Sequence, residues 1–253
     1  MTAYYDKWSY KKKKQPVWAF FKAIVAPFNR VKEVVYLGEQ LPKKCIMVSN
    51  HNNKKGPLVF EINLPILHAK WGAYWMLGGY KERFHYLRDV LYIQKNGYSK
   101  IRATLKGGFE AIFSLWSYKG LKVIPSFPDA RLRKTLQYSM TVLEQDVSIM
   151  IYPEDSGKGY FDVMSHFFPG FVMLADTWYK KTGEDLPVFP IYYGRKSKKI
   201  VVGKPLYVQQ LKEQGLNREE IAEKFRLEVN KLYHDHFLDV SDNAKNKNKV
   251  ETK

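Results

Sequence analysis

The sequence predicts an α/β protein of one domain, with a central mixed and largely parallel sheet covered by helices. Short apolar runs that suit buried strands alternate with longer segments in which apolar residues recur every three or four positions. Such alternation is typical of a sheet with helices on both faces. The length of 253 residues allows one sizeable core but leaves little room for a second full domain.

The predicted elements follow these two patterns along the chain. Strands are expected over residues 31–36, 44–48, 123–125, 147–152, 188–193 and 199–202. Helices are expected to begin at Gly56-Pro57 and at Asp129, and to cover residues 101–118, 171–181 and 218–238. The aromatic-rich stretch 58–98 is harder to assign, and its composition favours helix over strand.

The two ends of the chain differ in composition from its middle. Residues 1–30 combine a run of four lysines, 11–14, with a short apolar stretch rich in Trp and Phe. This composition predicts a segment that lies on an anionic membrane surface; the alternative is a solvated tail followed by a helix packed on its own domain. Residues 31–240 form the predicted domain, and the polar residues 241–253 are expected to be disordered.

The balance of charge indicates a polyanionic partner. Forty-two Lys and Arg against 25 Asp and Glu give a net charge of +17, which suits nucleic acid, an anionic membrane or a phosphorylated substrate. The 18 Tyr, 15 Phe and 6 Trp favour a membrane interface. The basic residues are dispersed and no recognition motif is present, so a nucleic-acid partner is not expected.

Several features predict a cytoplasmic protein that is peripheral on the inner face of the membrane. No apolar run approaches the roughly 20 residues that span a bilayer, and the start of the chain lacks the features of a signal peptide. Cys45 is the single cysteine, so an intrachain disulfide is impossible and a reducing compartment is favoured.

A histidine lies in the polar loop after the second predicted strand, in Val48-Ser49-Asn50-His51. Loops between a strand and a helix often display active-site bases, although a lone histidine in such a loop is more often simply solvated. Downstream, the strand at 147–152 runs into Tyr152-Pro153-Glu154-Asp155-Ser156-Gly157-Lys158, and Phe168-Pro169-Gly170 follows. The order of these segments favours a catalytic His51.

Taken in order, Asn50-His51, the Pro153-Glu154 loop, Phe168-Pro169-Gly170 and the proline-containing strand at 188–193 resemble the motifs of the glycerolipid acyltransferases. This family comprises lysophosphatidate and glycerol-phosphate acyltransferases. The resemblance spans about residues 43–205. The Pro-Glu loop with its spacing to Phe-Pro-Gly is moderately specific, whereas Asn-His alone is weak.

The resemblance implies that His51 deprotonates an acceptor hydroxyl, which attacks the thioester of an acyl-CoA or acyl carrier protein. The implied acceptor is glycerol phosphate or a lysophospholipid, and no cofactor is implied. A positively charged pocket for its phosphate is also expected. The residues expected to bind substrate are Asn50, Arg131, Arg133, Glu154, Ser156 and Lys158.

The sequence also departs from the family pattern. The family has an aspartate five positions after the histidine, where this chain has Gly56. The glycine and threonine of the third motif are Asp155 and Ser156 here, and the basic residue is delayed to Lys158. The arginine of the second motif is absent from its usual place, although Arg131 follows closely.

The missing aspartate leaves three hypotheses open. Glu61, about one and a half helical turns beyond Gly56, is the predicted catalytic partner of His51, and Glu154 or Asp155 could replace it. Alternatively, a carbonyl or water holds the imidazole in a slower enzyme. In the third case the site is inactive, and the protein is a lipid-binding relative of the family.

Two other patterns predict no site. His234 and His236 lie near the end of a predicted helix with no third ligand in view, so no metal site is expected. Gly107-Gly108 and the glycines around Lys158 do not fit the spacing of a nucleotide-binding loop.

Overall fold

A computed structural model describes Tyr10 and residues 15–51, 55–157 and 159–238. The lysine run 11–14, Lys158 and the polar tail therefore lie outside the described residues. No helix in the described ranges combines the length and the hydropathy needed to cross a membrane.

Within the described residues, eight strands form one sheet in the order β1-β7-β6-β2-β5-β3-β4, with β8 paired to β6. β6 runs antiparallel to β7 and β8, and the other neighbours are parallel. This arrangement confirms the predicted α/β class. The strands are β1 Glu33–Tyr36, β2 Ile46–Ser49, β3 His68–Ala73, β4 Val123–Ser126, β5 Ser148–Ile151, β6 Pro187–Gly194, β7 Lys199–Val202 and β8 Leu206–Tyr207.

Helices cover the sheet, and most of them lie where the sequence predicts. A 3₁₀ turn at Tyr74–Leu77 and a π-helix at Tyr86–Lys95 flank the third helix. The α-helices are α1 Pro16–Asn29, α2 Gly56–Asn63, α3 Tyr80–His85, α4 Lys100–Gly120, α5 Leu132–Leu143, α6 Gly170–Thr182, α7 Val208–Glu213 and α8 Arg218–Phe237.

The preference for helix over strand in residues 58–98 is wrong at β3, an inner strand between β4 and β5. Its sequence, His-Ala-Lys-Trp-Gly-Ala, lacks the β-branched residues that mark strands. Lys70 nevertheless lies buried in β3, because Glu61 of α2 pairs with its charge. A buried ion pair between distant segments leaves no local signal in the sequence.

The core has two layers, one on each face of the sheet. Alternate residues of β2 point to opposite faces, as the pleat requires. Val48 packs in a cluster that includes Phe171 of α6 and Phe225 of α8. Met47 packs on the other face, in a cluster with Phe60 of α2.

The register of the central strands positions the site. β2 lies between β5 and β6 and runs parallel to both, with Val48 opposite Ile151. The carboxyl ends of β2 and β5 therefore lie side by side at the same edge of the sheet. In open α/β sheets this edge is where ligands bind.

Candidate functional site

Asn50 fixes the end of β2. It is buried, its side-chain amide donates to the carbonyl of Tyr193, and its Oδ1 accepts from the N–H of Tyr193. These two bonds attach the residue before His51 to β6. The geometry gives Asn50 a positioning role, while its predicted role in substrate binding stays a prediction.

His51 and Glu154 connect the two motif loops. The backbone N–H of His51 donates to Oε1 of Glu154 over 2.9 Å. The imidazole ring packs edge-on against Tyr152, with ring centroids 4.7 Å apart, and stacks on Tyr160 at 5.3 Å. Burial raises the pKa of Tyr152 well above its usual value, so its phenol stays neutral beside the histidine. The loops predicted to act together are therefore in direct contact.

A cavity of about 570 Å³ opens beside His51. This volume is within the range of small-molecule sites. Its wall is mainly aromatic and apolar, with a few polar groups that could orient a ligand. Lining residues include His51, Lys95, Ser156, Trp71, Phe127 and Phe168.

A second cavity, of about 330 Å³, also reaches His51. It runs between α1 and α4, and its lining includes Phe21 and Phe113. Both of its flanks are rich in aromatic and aliphatic side chains, which suit an acyl chain better than a charged group. His51 thus lines both cavities, and each of them has a mainly apolar wall.

Lys95 is a site residue that sequence analysis missed. It ends the π-helix, and its Nζ donates to Oγ of Ser156 over 2.7 Å. Among the described residues that line the larger cavity, it is the only lysine or arginine. Burial lowers the pKa of Lys95, and the carboxylates of Glu154 and Asp155 oppose that shift. The lysine is 61 positions from Ser156, so no motif spacing could have revealed the contact.

The carboxyl of Glu154 is mostly buried. Burial raises its pKa to about 7, although the hydrogen bond from His51 and the charge of Lys95 lower it in part. The bond from His51 requires only an acceptor oxygen, which both the ionised and the protonated carboxyl provide. Glu154 therefore positions the histidine loop in either state.

Ser156 and Asp155 have different surroundings in the same loop. Ser156 lines the larger cavity and accepts the bond from Lys95. Asp155 is exposed, and its Oδ1 accepts the backbone N–H of Gly157, which is a local turn contact. Ser156 therefore lies at the wall of the larger cavity, its predicted role in substrate binding stays a prediction, and Lys158 lies outside the described residues.

Gly56 stands where the family that the sequence resembles has aspartate, and it lies close to the backbone of His51. A Cβ added to Gly56 would lie 2.1 Å from the carbonyl oxygen of His51. Real Cβ atoms do not approach an oxygen so closely, so the backbone at this point accommodates glycine alone. Glycine at position 56 therefore matches the close approach of its backbone to the backbone of His51.

Glu61 is engaged by two lysines. Its Oε2 accepts from Lys70 over 2.5 Å, and its Oε1 accepts from Lys22 of α1 over 3.0 Å. Burial favours the neutral acid, but the charges of Lys70 and of nearby cationic groups outweigh it and lower the pKa of Glu61. These contacts give Glu61 a structural role between α1, α2 and β3. Its predicted role as the partner of His51 stays a prediction.

Neither of the predicted arginines is among the residues that line the larger cavity. Arg131 pairs with Asp129, a lining residue, through Nη2 to Oδ2 over 2.6 Å. Its guanidinium also lies over the rings of Tyr74 and Phe127, at 4.6 and 4.8 Å. Arg133 is exposed on α5. Arg131 thus already has a counter-ion, so Lys95 is the cation better placed for a ligand in this cavity.

The described residues place four chemical functions at one edge of the sheet. They are the imidazole of His51, the ammonium of Lys95, the hydroxyl of Ser156 and the carboxyl of Glu154, which accepts from the backbone N–H of His51. A histidine beside a mixed polar and apolar cavity can deprotonate a hydroxyl group of an amphipathic ligand.

No protein-family model matches the chain, and no curated protein matches it. Among solved structures, the chain is similar to the 1-acyl-sn-glycerophosphate (LPA) acyltransferase PlsC from Thermotoga maritima, at 14% sequence identity and a TM-score of 0.48. The match covers 90% of this chain and 85% of that protein. Because the similarity is this low, we draw the function of this protein from the geometry of its own site.

Proposed function

We propose that this protein transfers a fatty acyl group from a thioester donor to the hydroxyl of a lysophospholipid or glycerol phosphate. His51 is the general base in this proposal. The observation that supports it best is the hydrogen bond between His51 and Glu154. This bond brings the two motif loops together at the wall of a cavity large enough for such a substrate.

In the proposed reaction, the imidazole of His51 takes the proton of the acceptor hydroxyl as its oxygen attacks the carbonyl carbon of the thioester. The carbon–sulfur bond then breaks, and the leaving thiolate takes the proton from the imidazolium. An ester and a free thiol result, with His51 neutral again. A hydroxyl is a poor nucleophile at neutral pH, so the reaction needs a base within hydrogen-bond reach.

Lys95 and Ser156 are proposed to bind the phosphate of the acceptor. A lysine ammonium and a hydroxyl are suitable donors for phosphate oxygens, and both line the larger cavity. Arg131, Arg133 and Lys158 remain proposed contributors to substrate binding. The apolar cavity between α1 and α4 is proposed to hold the acyl chain.

The proposed donor is acyl-CoA or acyl carrier protein, with no cofactor, and the proposed role is in phospholipid biosynthesis. The proposed location is the cytoplasmic face of an anionic membrane, with residues 1–30 as a binding segment. The exposed Val17, Phe20, Ile24 and Phe28 of α1 support this location, because a helix packed only on its own domain would bury such side chains.

A second candidate is a lipid-binding relative without catalysis. Gly56 favours it, because the residue that orients the histidine in the related family has no counterpart at that position. Loss of such a carboxylate can lower a rate by orders of magnitude. In this alternative the two cavities bind lipid, but His51 transfers no proton.

Acyl transfer by the purified protein in anionic vesicles tests the proposal. Acyl-CoA and acyl carrier protein donors are offered with lysophosphatidate and glycerol phosphate acceptors, for the wild type and for His51→Ala. His234→Ala, an exposed histidine on α8, is the matched control. We expect ester product from the wild type and the control, and a loss of at least about 100-fold in His51→Ala, the usual scale of general-base catalysis.

Absence of product from the wild type with every donor and acceptor would contradict the proposal. In that case, retained binding of lysophosphatidate would favour the lipid-binding alternative. Equal turnover in the wild type and His51→Ala would show that another group is the base.

A further inference from the structure

The helix α4 has its hydrophobic side facing solvent. Its buried positions hold small residues, Ala103, Gly107, Ala111 and Ser114. Gly107 lies close to the backbone of Arg88 in the π-helix, where a Cβ would come within 3.2 Å. Six large apolar side chains of α4 are between 40% and 77% exposed, whereas Leu115 packs on the domain; the six are Ile101, Leu105, Phe109, Ile112, Phe113 and Trp116. A helix on the surface of a soluble protein shows the opposite arrangement.

These exposed side chains form one continuous stripe. At 3.6 residues per turn, their positions fall within an arc of about 120°. Phe109 and Phe113 touch along the stripe, with ring centroids 5.5 Å apart. A stripe of this kind is long enough and wide enough to require a partner, since isolated exposed apolar residues are common but contiguous patches are not.

The helix α1 extends the same surface. Its Trp18 is buried, while Val17, Phe20, Ile24 and Phe28 are exposed by between 55% and 80%. Trp18 and Phe21 pack against Trp116 of α4, with ring centroids 5.2 and 5.0 Å apart. The apolar sides of α1 and α4 are thus adjacent, and we call them together the two-helix face.

The charges around the two-helix face suit an anionic partner. α1 contains no acidic residue. The helix α4 carries four basic residues, Lys100, Arg102, Lys106 and Lys119, and its only acidic residue, Glu110, accepts a hydrogen bond from Tyr92. Apolar side chains flanked by basic ones favour a surface that is apolar within and negative at its boundary, which describes an anionic bilayer.

The smaller cavity argues for lipid over protein as the occupant. It lies between α1 and α4, and its lining includes Phe113, which also belongs to the exposed stripe. It reaches His51 at its other end. A bilayer seated on the two-helix face would therefore lie directly over an apolar passage to the candidate base, whereas a protein seated there would cover it.

We propose that α4 is a membrane-binding helix, which together with α1 docks the protein on an anionic lipid bilayer. The choice of lipid as occupant rests partly on the proposed function, but binding to a bilayer does not require catalysis. The described part of the chain then has two membrane contacts, one near its start and one within the domain. Both lie at the cavity that reaches His51.

Co-sedimentation of the full chain with vesicles tests this proposal. The vesicles contain phosphatidylglycerol and phosphatidylcholine, with pure phosphatidylcholine for comparison. The key variant is Leu105→Glu with Phe109→Glu on α4. The control, Tyr179→Glu with Leu227→Glu, adds the same two charges at exposed apolar positions on α6 and α8. Thermal unfolding of each variant checks that it is folded.

We expect the α4 variant to partition onto anionic vesicles at least tenfold more weakly than the wild type, and the control to change less than twofold. Binding of the wild type to pure phosphatidylcholine is expected to be weaker than to anionic vesicles. A folded Leu105→Ser with Phe109→Ser variant is expected to show a smaller but distinct loss, because it removes apolar contact without adding repulsion.

Equal vesicle binding by the folded α4 variant and the wild type would overturn the proposal. A second result would also overturn it: a wild type that is a dimer in sedimentation velocity without lipid, together with an α4 variant that is a monomer. The two-helix face would then be an interface between copies. The assay is repeated in His51→Ala. Binding that persists there, even without acyl transfer, separates failure of the proposed function from failure of this inference.

Discussion

The backbone N–H of His51 donates a hydrogen bond to Oε1 of Glu154 over 2.9 Å. This bond spans 103 residues of sequence and joins the loop after β2 to the loop after β5. It acts on the backbone of the histidine, and His51 lines both cavities. Glu154 is therefore a positioning residue for His51.

Two substitutions at Glu154 separate positioning from charge. Glu154→Gln keeps an oxygen that can accept from the N–H of His51, and we expect it to retain most acyl transfer. Glu154→Ala leaves that N–H without its acceptor, and we expect the rate of acyl transfer to fall at least tenfold. Such a fall corresponds to a rise of about 1.4 kcal/mol or more in the activation free energy. Turnover of both variants under saturating substrate is the measurement. Equal losses in both would show that the charge of Glu154, and not its hydrogen bond, matters.

The raised pKa of Glu154 predicts a pH dependence of stability. The usual carboxyl value is 4.5 and the folded value is about 7, so the folded protein binds more protons than the unfolded chain between these limits. The free energy of unfolding therefore falls as pH rises from 4.5 to 7, by on the order of 3 kcal/mol. Urea unfolding at several pH values is expected to show this fall in the wild type. Its persistence in Glu154→Gln would assign it to another group.

An aspartate at position 56 is not expected to raise the proposed acyl transfer. A Cβ at Gly56 would lie 2.1 Å from the carbonyl oxygen of His51, so Gly56→Ala should destabilise the fold by about 1–3 kcal/mol. Gly108→Ala on α4 is the control, because its Cβ would meet Tyr80 at an ordinary 3.7 Å. Denaturant unfolding measures both. If Gly56→Asp instead raised acyl transfer without loss of stability, the loop would be free to adopt the family conformation.

The buried pair of Glu61 and Lys70 predicts a strong effect of removing one partner. Glu61→Gln leaves the ammonium of Lys70 buried without its counter-ion, and we expect a loss of about 3–5 kcal/mol in unfolding free energy. The double variant Glu61→Leu with Lys70→Met should lose less, because it buries no unpaired charge. Acyl transfer by this double variant then tests catalysis. Retained activity would exclude Glu61 as the partner of His51, and its abolition in a folded protein would support that role.

Lys95 predicts selectivity for phosphate-bearing acceptors. Lys95→Met removes the ammonium that lines the larger cavity, and the KM for lysophosphatidate is expected to rise about 10- to 100-fold, the equivalent of one charged hydrogen bond. The KM for a neutral monoacylglycerol should change little. Lys231→Met, at an exposed position on α8, is the control. An equal rise in KM for both acceptors would show that Lys95 supports the fold of the cavity and does not bind phosphate.

Local sequence patterns were sufficient to predict the strands that are rich in β-branched residues and the order of the motif loops along the chain. Local pattern failed at β3, because a lysine in the sequence suggests a position on the surface. Lys70 is buried there because Glu61 pairs with its charge. Local pattern also predicted Arg131 as a substrate-binding residue; the fold pairs Arg131 with Asp129, and its role in binding stays a prediction. Local pattern could not identify Lys95 as a site residue. It ends a π-helix that lies far from the motifs in the sequence, and only the fold brings it to Ser156.

The sequence by itself determined the α/β class, the loop that holds His51 and the helical period of α4, because each depends on residues within one turn or one strand. The tertiary structure alone decided which contacts those residues make. It joined Glu154 to His51, brought Lys95 to Ser156, and turned the apolar stripe of α4 toward solvent. Periodicity shows that a helix has an apolar face, but only the packing of its other face decides whether that face meets the core or the surroundings.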